Sequence, residues 1–122
     1  MTTPPTGPNH RESYRVRYPV AYPDNLLPRI VLMPGRPVEL EDWSEIGVRF
    51  KRPTPFEEQV GTDVTLHITL SEGDPIDAEG TVVWMDSEAV AVRLKPSELP
   101  WKIIMDEQRA IAKWRRSRVE NI

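Results

Sequence analysis

Five residues of this chain have the side-chain types and spacing needed to hold an anionic, hydrogen-bonding ligand. Arg11 and Arg15 are four positions apart, which sets them on one face of either a helix or an extended strand. An arginine stays charged and donates two parallel hydrogen bonds, so it suits phosphate or two neighbouring acceptors. Asp42, Ser44 and Gly47 form a second group, in which the carboxylate accepts two hydrogen bonds side by side. Together they predict a site for a ligand with acceptor and donor edges.

The order RxxxR followed by DxSxxG, in a strand-rich chain, resembles the PilZ family, whose members are bacterial receptors for cyclic di-GMP. Arg11 to Arg15 supplies the first motif, and Asp42-Trp43-Ser44-Glu45-Ile46-Gly47 supplies the second. The resemblance covers residues 10 to about 100. It implies that the arginines contact phosphate and the O6/N7 edge of guanine, and that Asp42 and Ser44 contact a guanine from the barrel.

Three residues outside the motif positions are further candidate contacts for the ligand. His10 precedes Arg11 and can meet a phosphate when protonated. Arg17 shares the extended face of Arg15 and adds positive potential. Trp84 follows the alternation of a core strand, which favours a buried position, but some PilZ domains use this strand to pack against a guanine, and a Trp face would supply the stacking.

The second motif also has structural interpretations that need no ligand. Ser44 at the start of a turn can bond its own backbone, and Asp42 can cap the turn after its strand. We expect Gly47 to take the positive φ that returns the chain into the next strand. The arginines alone would also fit a solvated basic arm. Ala91 stands where the family usually has Gly, and we expect it to lie away from the nucleotide motifs.

Alternating apolar residues predict the strands that position these side chains. The pattern gives a first strand over residues 14–22, running straight out of the arginine motif, and further strands at 30–33, 36–42, 48–50, 64–70, 76–84 and 90–94. These short segments indicate an antiparallel barrel or sandwich. The resemblance implies a mainly β fold, a six-stranded antiparallel PilZ-type β-barrel with a C-terminal α-helix. We expect a disordered arm over residues 1–9, the barrel with its RxxxR segment over 10–100, and the helix over 101–122.

Composition limits the class of protein. A chain of 122 residues fits one domain, and its 13 prolines argue against a helix bundle. The absence of cysteine suits a reducing cytoplasm, and no aliphatic run is long enough for membrane insertion. Residues 1–100 carry 10 Lys and Arg against 16 Asp and Glu, whereas residues 101–122 carry 6 against 3. The acidic body argues against non-specific binding of DNA.

No catalytic spacing, metal-ligand cluster or phosphate-cradling glycine loop is present in the sequence. We therefore expect a non-enzymatic cyclic di-GMP receptor, a monomer or weak dimer without a cofactor, which signals to an unidentified protein partner. Motility, exopolysaccharide or virulence control are the outputs that the family implies. Two alternatives remain, a PilZ-like scaffold that binds a partner without nucleotide and a small barrel that binds single-stranded nucleic acid.

Overall fold

The computed structural model describes residues 15–71, 73–96 and 98–120, which form one antiparallel sheet followed by a helix. A short 3₁₀ helix, Asp24–Leu26, lies between the first two strands. The regular elements, in chain order, are β1 Val16–Arg17, β2 Arg29–Leu32, β3 Arg36–Val38, β4 Leu40–Ser44, β5 Gly47–Lys51, β6 Asp63–Thr69, β7 Ile76–Met85, β8 Ala89–Leu94 and α1 Trp101–Glu120. The strand order across the sheet is β1-β4-β5-β8-β7-β6-β2-β3.

The sheet has eight strands, so the expected count of six is wrong, although the mainly β class and the C-terminal helix are confirmed. It curls into a half-barrel whose end strands are β1 and β3. The predicted strand over residues 36–42 divides at Glu39 because its two parts have different partners. β3 pairs with β2, whereas β4 pairs with β1 and β5.

The first strand is much shorter than the alternation over residues 14–22 predicted. β1 contains Val16 and Arg17 alone, and the chain then turns, with the Tyr22 amide donating to the Pro19 carbonyl at 2.9 Å. Pro19 has no N–H to donate to a neighbouring strand, and Val20 is fully exposed. Tyr14 and the arm over residues 1–9 lie outside the described residues.

The core lies between the concave face of the sheet and α1. Alternate residues of the strands point into it, as the sequence pattern predicted, and they are joined by two isoleucines of the helix; its buried members include Val48, Phe50, Leu66, Ile68, Val82, Val90, Val92, Ile104 and Ile111. Trp101, in the first turn, is instead half exposed. Among the described residues, no helix is both long enough and apolar enough to cross a bilayer.

The close pairing of β7 with β8 generates a prediction about Gly80. A Cβ at this position would lie 2.7 Å from Val92 Cγ1 and closer still to the Arg93 carbonyl oxygen. Because one of these neighbours is backbone, Gly80→Ala should lower the free energy of unfolding by about 1–3 kcal/mol, the usual cost of overpacking. Gly35→Ala is the matched control, since a Cβ there would meet nothing within 4 Å. Equal denaturant midpoints for the two variants would contradict this account.

Candidate functional site

A cavity of about 500 Å³ lies on the face of the sheet turned away from the core, within the size range of small-ligand sites. Its charged lining consists of four arginines and one carboxylate, namely Arg15, Arg17, Arg49, Arg93 and Asp42. The whole chain has a net charge of −3. The cavity is therefore a local concentration of positive charge on an acidic protein, which suits an anionic ligand.

Strand register explains why these side chains meet. Arg17 of β1 is opposite Asp42, Asp42 is opposite Arg49, Arg49 is opposite Ala91, and Ala91 is opposite Trp84. Residues paired across neighbouring strands share a face, and the strands are about 4.8 Å apart. The five residues thus form one row, about 19 Å long, across β1, β4, β5, β8 and β7.

A second row runs beside the first. Ser44 is opposite Gly47, Gly47 is opposite Arg93, and Arg93 is opposite Thr81. Gly47 contributes no side chain, so the middle of the second row is bare backbone. Arg93 is exposed and stands at the far side of this bare floor from β1.

Asp42 is the electrostatic centre of the site. Its side chain is only 2 % exposed, and Oδ1 accepts a hydrogen bond from Arg15 Nη1. Oδ2 lies 3.3 Å from Arg49 Nη2 and 3.8 Å from Arg17 Nε. A buried carboxylate is costly without such partners. The interpretation of Asp42 as a turn cap is wrong, because the residue lies inside β4 and its oxygens face arginines.

The cavity arginines differ in how firmly they are held. The Arg49 guanidinium lies between two carboxylates, because its Nε is also 3.2 Å from Glu41 Oε1, an ion-pair contact without the geometry of a hydrogen bond. The Arg15 side chain is 30 % exposed and the Arg17 side chain 72 % exposed, and within residues 15–71, 73–96 and 98–120 Asp42 is the carboxylate that both face. Arg49 therefore has carboxylates on two sides at the floor of the cavity, whereas Arg15 and Arg17 border its open side.

Ser44 and Gly47 serve the hairpin between β4 and β5. Ser44 is fully buried and its Oγ accepts from the Ile46 amide at 3.3 Å, which is the local backbone bond considered from the sequence. Gly47 begins β5 and does not take a positive φ, so that expectation is wrong. Its small size matters for another reason, because a Cβ would lie 3.1 Å from the Val92 carbonyl oxygen.

Trp84 lines the cavity and is 44 % exposed, so the core interpretation of this residue is wrong. β7 has a bulge here, since Val82 is opposite Val92 but Trp84 is opposite Ala91. An extra residue in one strand turns the following side chain to the other face. Ala91, which is opposite Arg49 on β5, also lines the cavity, so the expectation that it lies away from the nucleotide motifs is wrong.

The structure adds residues that sequence reasoning missed and leaves others undescribed. Arg49 and Arg93 were not predicted, although each alternates with buried residues of its strand and so had to face outward. Alternation alone does not show that β5 and β8 are neighbours. Arg11 and His10 lie outside the described residues, so the first motif is represented by Arg15.

The segment that follows β1 is joined to α1. The Tyr18 hydroxyl donates to Glu107 Oε1 at 2.6 Å, and the Tyr18 and Tyr22 rings lie 5.3 Å apart. Tyr22 in turn meets Trp114 edge-on, with 5.2 Å between ring centroids. Trp43 Nε1 is buried and approaches the Tyr18 oxygen without the geometry of a full hydrogen bond. Burial, and then the bond to Glu107, raise the pKa of Tyr18 far above its ordinary value near 10.

A half-barrel domain with a basic cavity on its outer sheet face is the class that fold and site define. A model of the PilZ domain family matches residues 9–102. This span is most of the chain, and the chain belongs to the PilZ family, whose domains are cyclic di-GMP-binding adaptors rather than enzymes. Neither among curated proteins nor among solved structures was a significant match found.

The raised pKa of Tyr18 generates a prediction for alkaline solution. Above about pH 10 the unfolded chain releases the phenol proton while the folded chain keeps it, so stability is lost as the pH rises, by up to about 1.4 kcal/mol per pH unit. Tyr18→Phe lacks this proton, and its free energy of unfolding should fall less between about pH 9 and pH 11. Comparing the two proteins cancels the other titrating groups. Parallel curves would show that Tyr18 ionises normally in the fold.

Proposed function

We propose that this protein is a non-enzymatic receptor for cyclic di-GMP that binds the dinucleotide in the arginine-lined cavity and signals to a protein partner. The observation that carries the proposal is the placing of four arginines, one carboxylate and an exposed Trp along one cavity of a PilZ domain. Each of these side-chain types matches a chemical feature of this ligand, and the rest of the chain is acidic.

The ligand has two phosphates and two guanines. Arg15 and Arg17, at the open border of the cavity, suit a phosphate or the O6/N7 acceptor pair, because a guanidinium donates in a planar fork. The Asp42 carboxylate suits the N1–H and N2–H₂ donors of a guanine. Trp84 supplies a flat, half-exposed ring on which a base can stack. Ser44 acts by holding the hairpin and thereby the position of Asp42.

Binding at Asp42 requires a change of partners. In the structure Arg15 occupies Oδ1, so a guanine reaches this oxygen when Arg15 moves to the ligand. Arg49 stays beside Oδ2, because Glu41 holds it from the other side. The carboxylate therefore keeps one positive neighbour throughout. The exchange replaces an internal ion pair with two contacts to the ligand, one at Arg15 and one at Asp42.

The helix α1 is the proposed surface for the partner. Lys102, Arg109, Lys113 and Arg116 recur at helical spacing and are exposed. Asp106 lies among them and pairs with Lys102 at 2.7 Å. This basic face fits a partner with an acidic surface. The Tyr18–Glu107 hydrogen bond links the helix to the residue directly after Arg17. A shift of Arg15 and Arg17 toward the ligand would therefore be transmitted to α1 through this hydrogen bond.

Calorimetric titration tests the proposal against its two alternatives. We expect cyclic di-GMP to bind with a dissociation constant of about 1 μM or tighter, equivalent to about −8 kcal/mol, and GMP to bind far more weakly. A scaffold that needs no nucleotide would bind neither compound. A single-strand binder would prefer a short oligonucleotide, with an affinity that falls steeply with salt.

The same titration with variants tests the assignment of residues. Arg15→Ala and Asp42→Asn should each weaken binding by about 1–3 kcal/mol, the scale of a bidentate or charge-assisted contact. Asn keeps the shape of Asp but turns one acceptor into a donor that faces the donors of guanine. Arg29→Ala is the control, because Arg29 is an exposed arginine of β2 outside the cavity. An Asp42→Asn protein that loses stability but binds normally would make Asp42 only an internal counter-ion.

Amide exchange tests the route to the partner surface. With cyclic di-GMP, we expect added protection in β1, in residues 42–47 and in α1 around Glu107. Tyr18→Phe removes the hydrogen bond to the helix without changing a cavity residue, so the response of α1 should shrink while the affinity stays within about twofold. A wild-type helix that exchanges identically with and without ligand would exclude this route.

A further inference from the structure

Arg93 is an exposed arginine of the cavity with no assigned role. It lies on β8, where it is paired with Gly47 on one side and Thr81 on the other. Through the described ranges 15–71, 73–96 and 98–120, its side chain forms no ion pair or hydrogen bond. Arg15, Arg17 and Arg49 all face Asp42. Within these ranges, Arg93 is thus the cavity arginine whose guanidinium N–H groups have no protein acceptor.

Of the two cavity-facing positions on β5 between Asp42 and Arg93, one has no side chain. The two residues stand on β4 and β8, with β5 between them, so their strands are about 10 Å apart. The intervening residue beside Arg93 is Gly47, and the intervening residue beside Asp42 is Arg49, whose guanidinium is drawn toward Glu41 and Asp42. A planar base placed over Gly47 would have the Asp42 carboxylate on one side and the Arg93 guanidinium on the other.

We propose that Arg93 donates its fork to the O6/N7 edge of the guanine whose N1–H and N2–H₂ edge is accepted by Asp42. The proposal rests on the function proposed above and adds to it the residue that selects guanine. To contact adjoining edges of one base, a carboxylate and a guanidinium must lie on the same face of the sheet, with room for the base between them. The strand register gives Asp42 and Arg93 this arrangement. Trp84 lies at the end of the neighbouring row and closes that side of the cavity.

The assignment makes Arg93 a specificity residue rather than a general anion anchor. Adenine carries an amino donor where guanine has O6, so an arginine fork that suits guanine meets a donor on adenine. Adenine also lacks the donors that Asp42 accepts. The cavity should therefore reject cyclic di-AMP, although the two dinucleotides have the same phosphates and charge.

Titration of four proteins with both dinucleotides tests the role of Arg93. The proteins are the wild type, Arg93→Ala, Arg93→Lys and the control Arg29→Ala. We expect Arg93→Ala to weaken binding of cyclic di-GMP at least tenfold, Arg93→Lys to restore little because an ammonium cannot donate as a planar fork, and Arg29→Ala to bind as the wild type does. The preference for cyclic di-GMP over cyclic di-AMP should narrow in Arg93→Ala.

Each of the other outcomes contradicts a specific part of the proposal. Arg93→Ala binding with wild-type affinity removes Arg93 from the ligand site. Arg93→Lys binding with wild-type affinity makes Arg93 a phosphate contact and overturns the guanine assignment, as does an equal loss for both dinucleotides. A wild type that fails to bind cyclic di-GMP refutes the proposed function itself, and this is seen before any variant is compared. Unchanged thermal unfolding of the variants confirms that the losses are not due to misfolding.

Discussion

The register of five neighbouring strands is the constraint on which the site depends. β1, the hairpin of β4 and β5 and the hairpin of β7 and β8 come from three separate parts of the chain. Their pairing alone places Arg17, Asp42, Arg49, Ala91 and Trp84 in one row. A shift of one residue in any pairing would turn that strand's cavity side chains toward the core. The buried residues between them, such as Val48, Phe50 and Val92, oppose the shift, because they would be exposed by it. Core and cavity are therefore specified by the same alternation.

Asp42 links the electrostatics of the site to its architecture. A carboxylate that is 2 % exposed is tolerated because arginines from β1 and β5 surround it. The same residue is a neighbour of Trp43, which is fully buried and approaches Tyr18, the residue bonded to the C-terminal helix. Cavity-facing and helix-facing side chains thus alternate along the chain. Asp42 is followed by Trp43 in β4, and Arg17 of β1 is followed by Tyr18.

Much of this was predictable from the sequence, and the failures have common physical causes. The alternation around Leu66 and Ile68, the end of β8 and the amphipathic helix were predicted correctly, because burial of alternate residues is a local signal. The break at Pro19 has a local cause, the missing N–H of proline, which the alternation of apolar residues did not reveal. The division at Glu39 and the bulge before Trp84 depend on which strands become neighbours, and a single sequence does not contain that pairing. The motifs identified Arg15 and Asp42, but Arg49 and Arg93 join the cavity only through the pairing of β5 with β8.

The contact between Arg15 and Asp42 affects the concentration at which a ligand would bind the cavity. Because the two groups belong to one chain, Arg15 acts as a tethered competitor for the carboxylate, with an effective concentration on the order of millimolar. If the pair is closed about nine-tenths of the time, a ligand that needs it open binds about tenfold more weakly than its contacts alone would allow. In the proposed receptor, the ion pair would set a threshold that keeps ligand occupancy low at basal ligand levels, and substitutions around Arg15 would tune the response without altering a ligand contact.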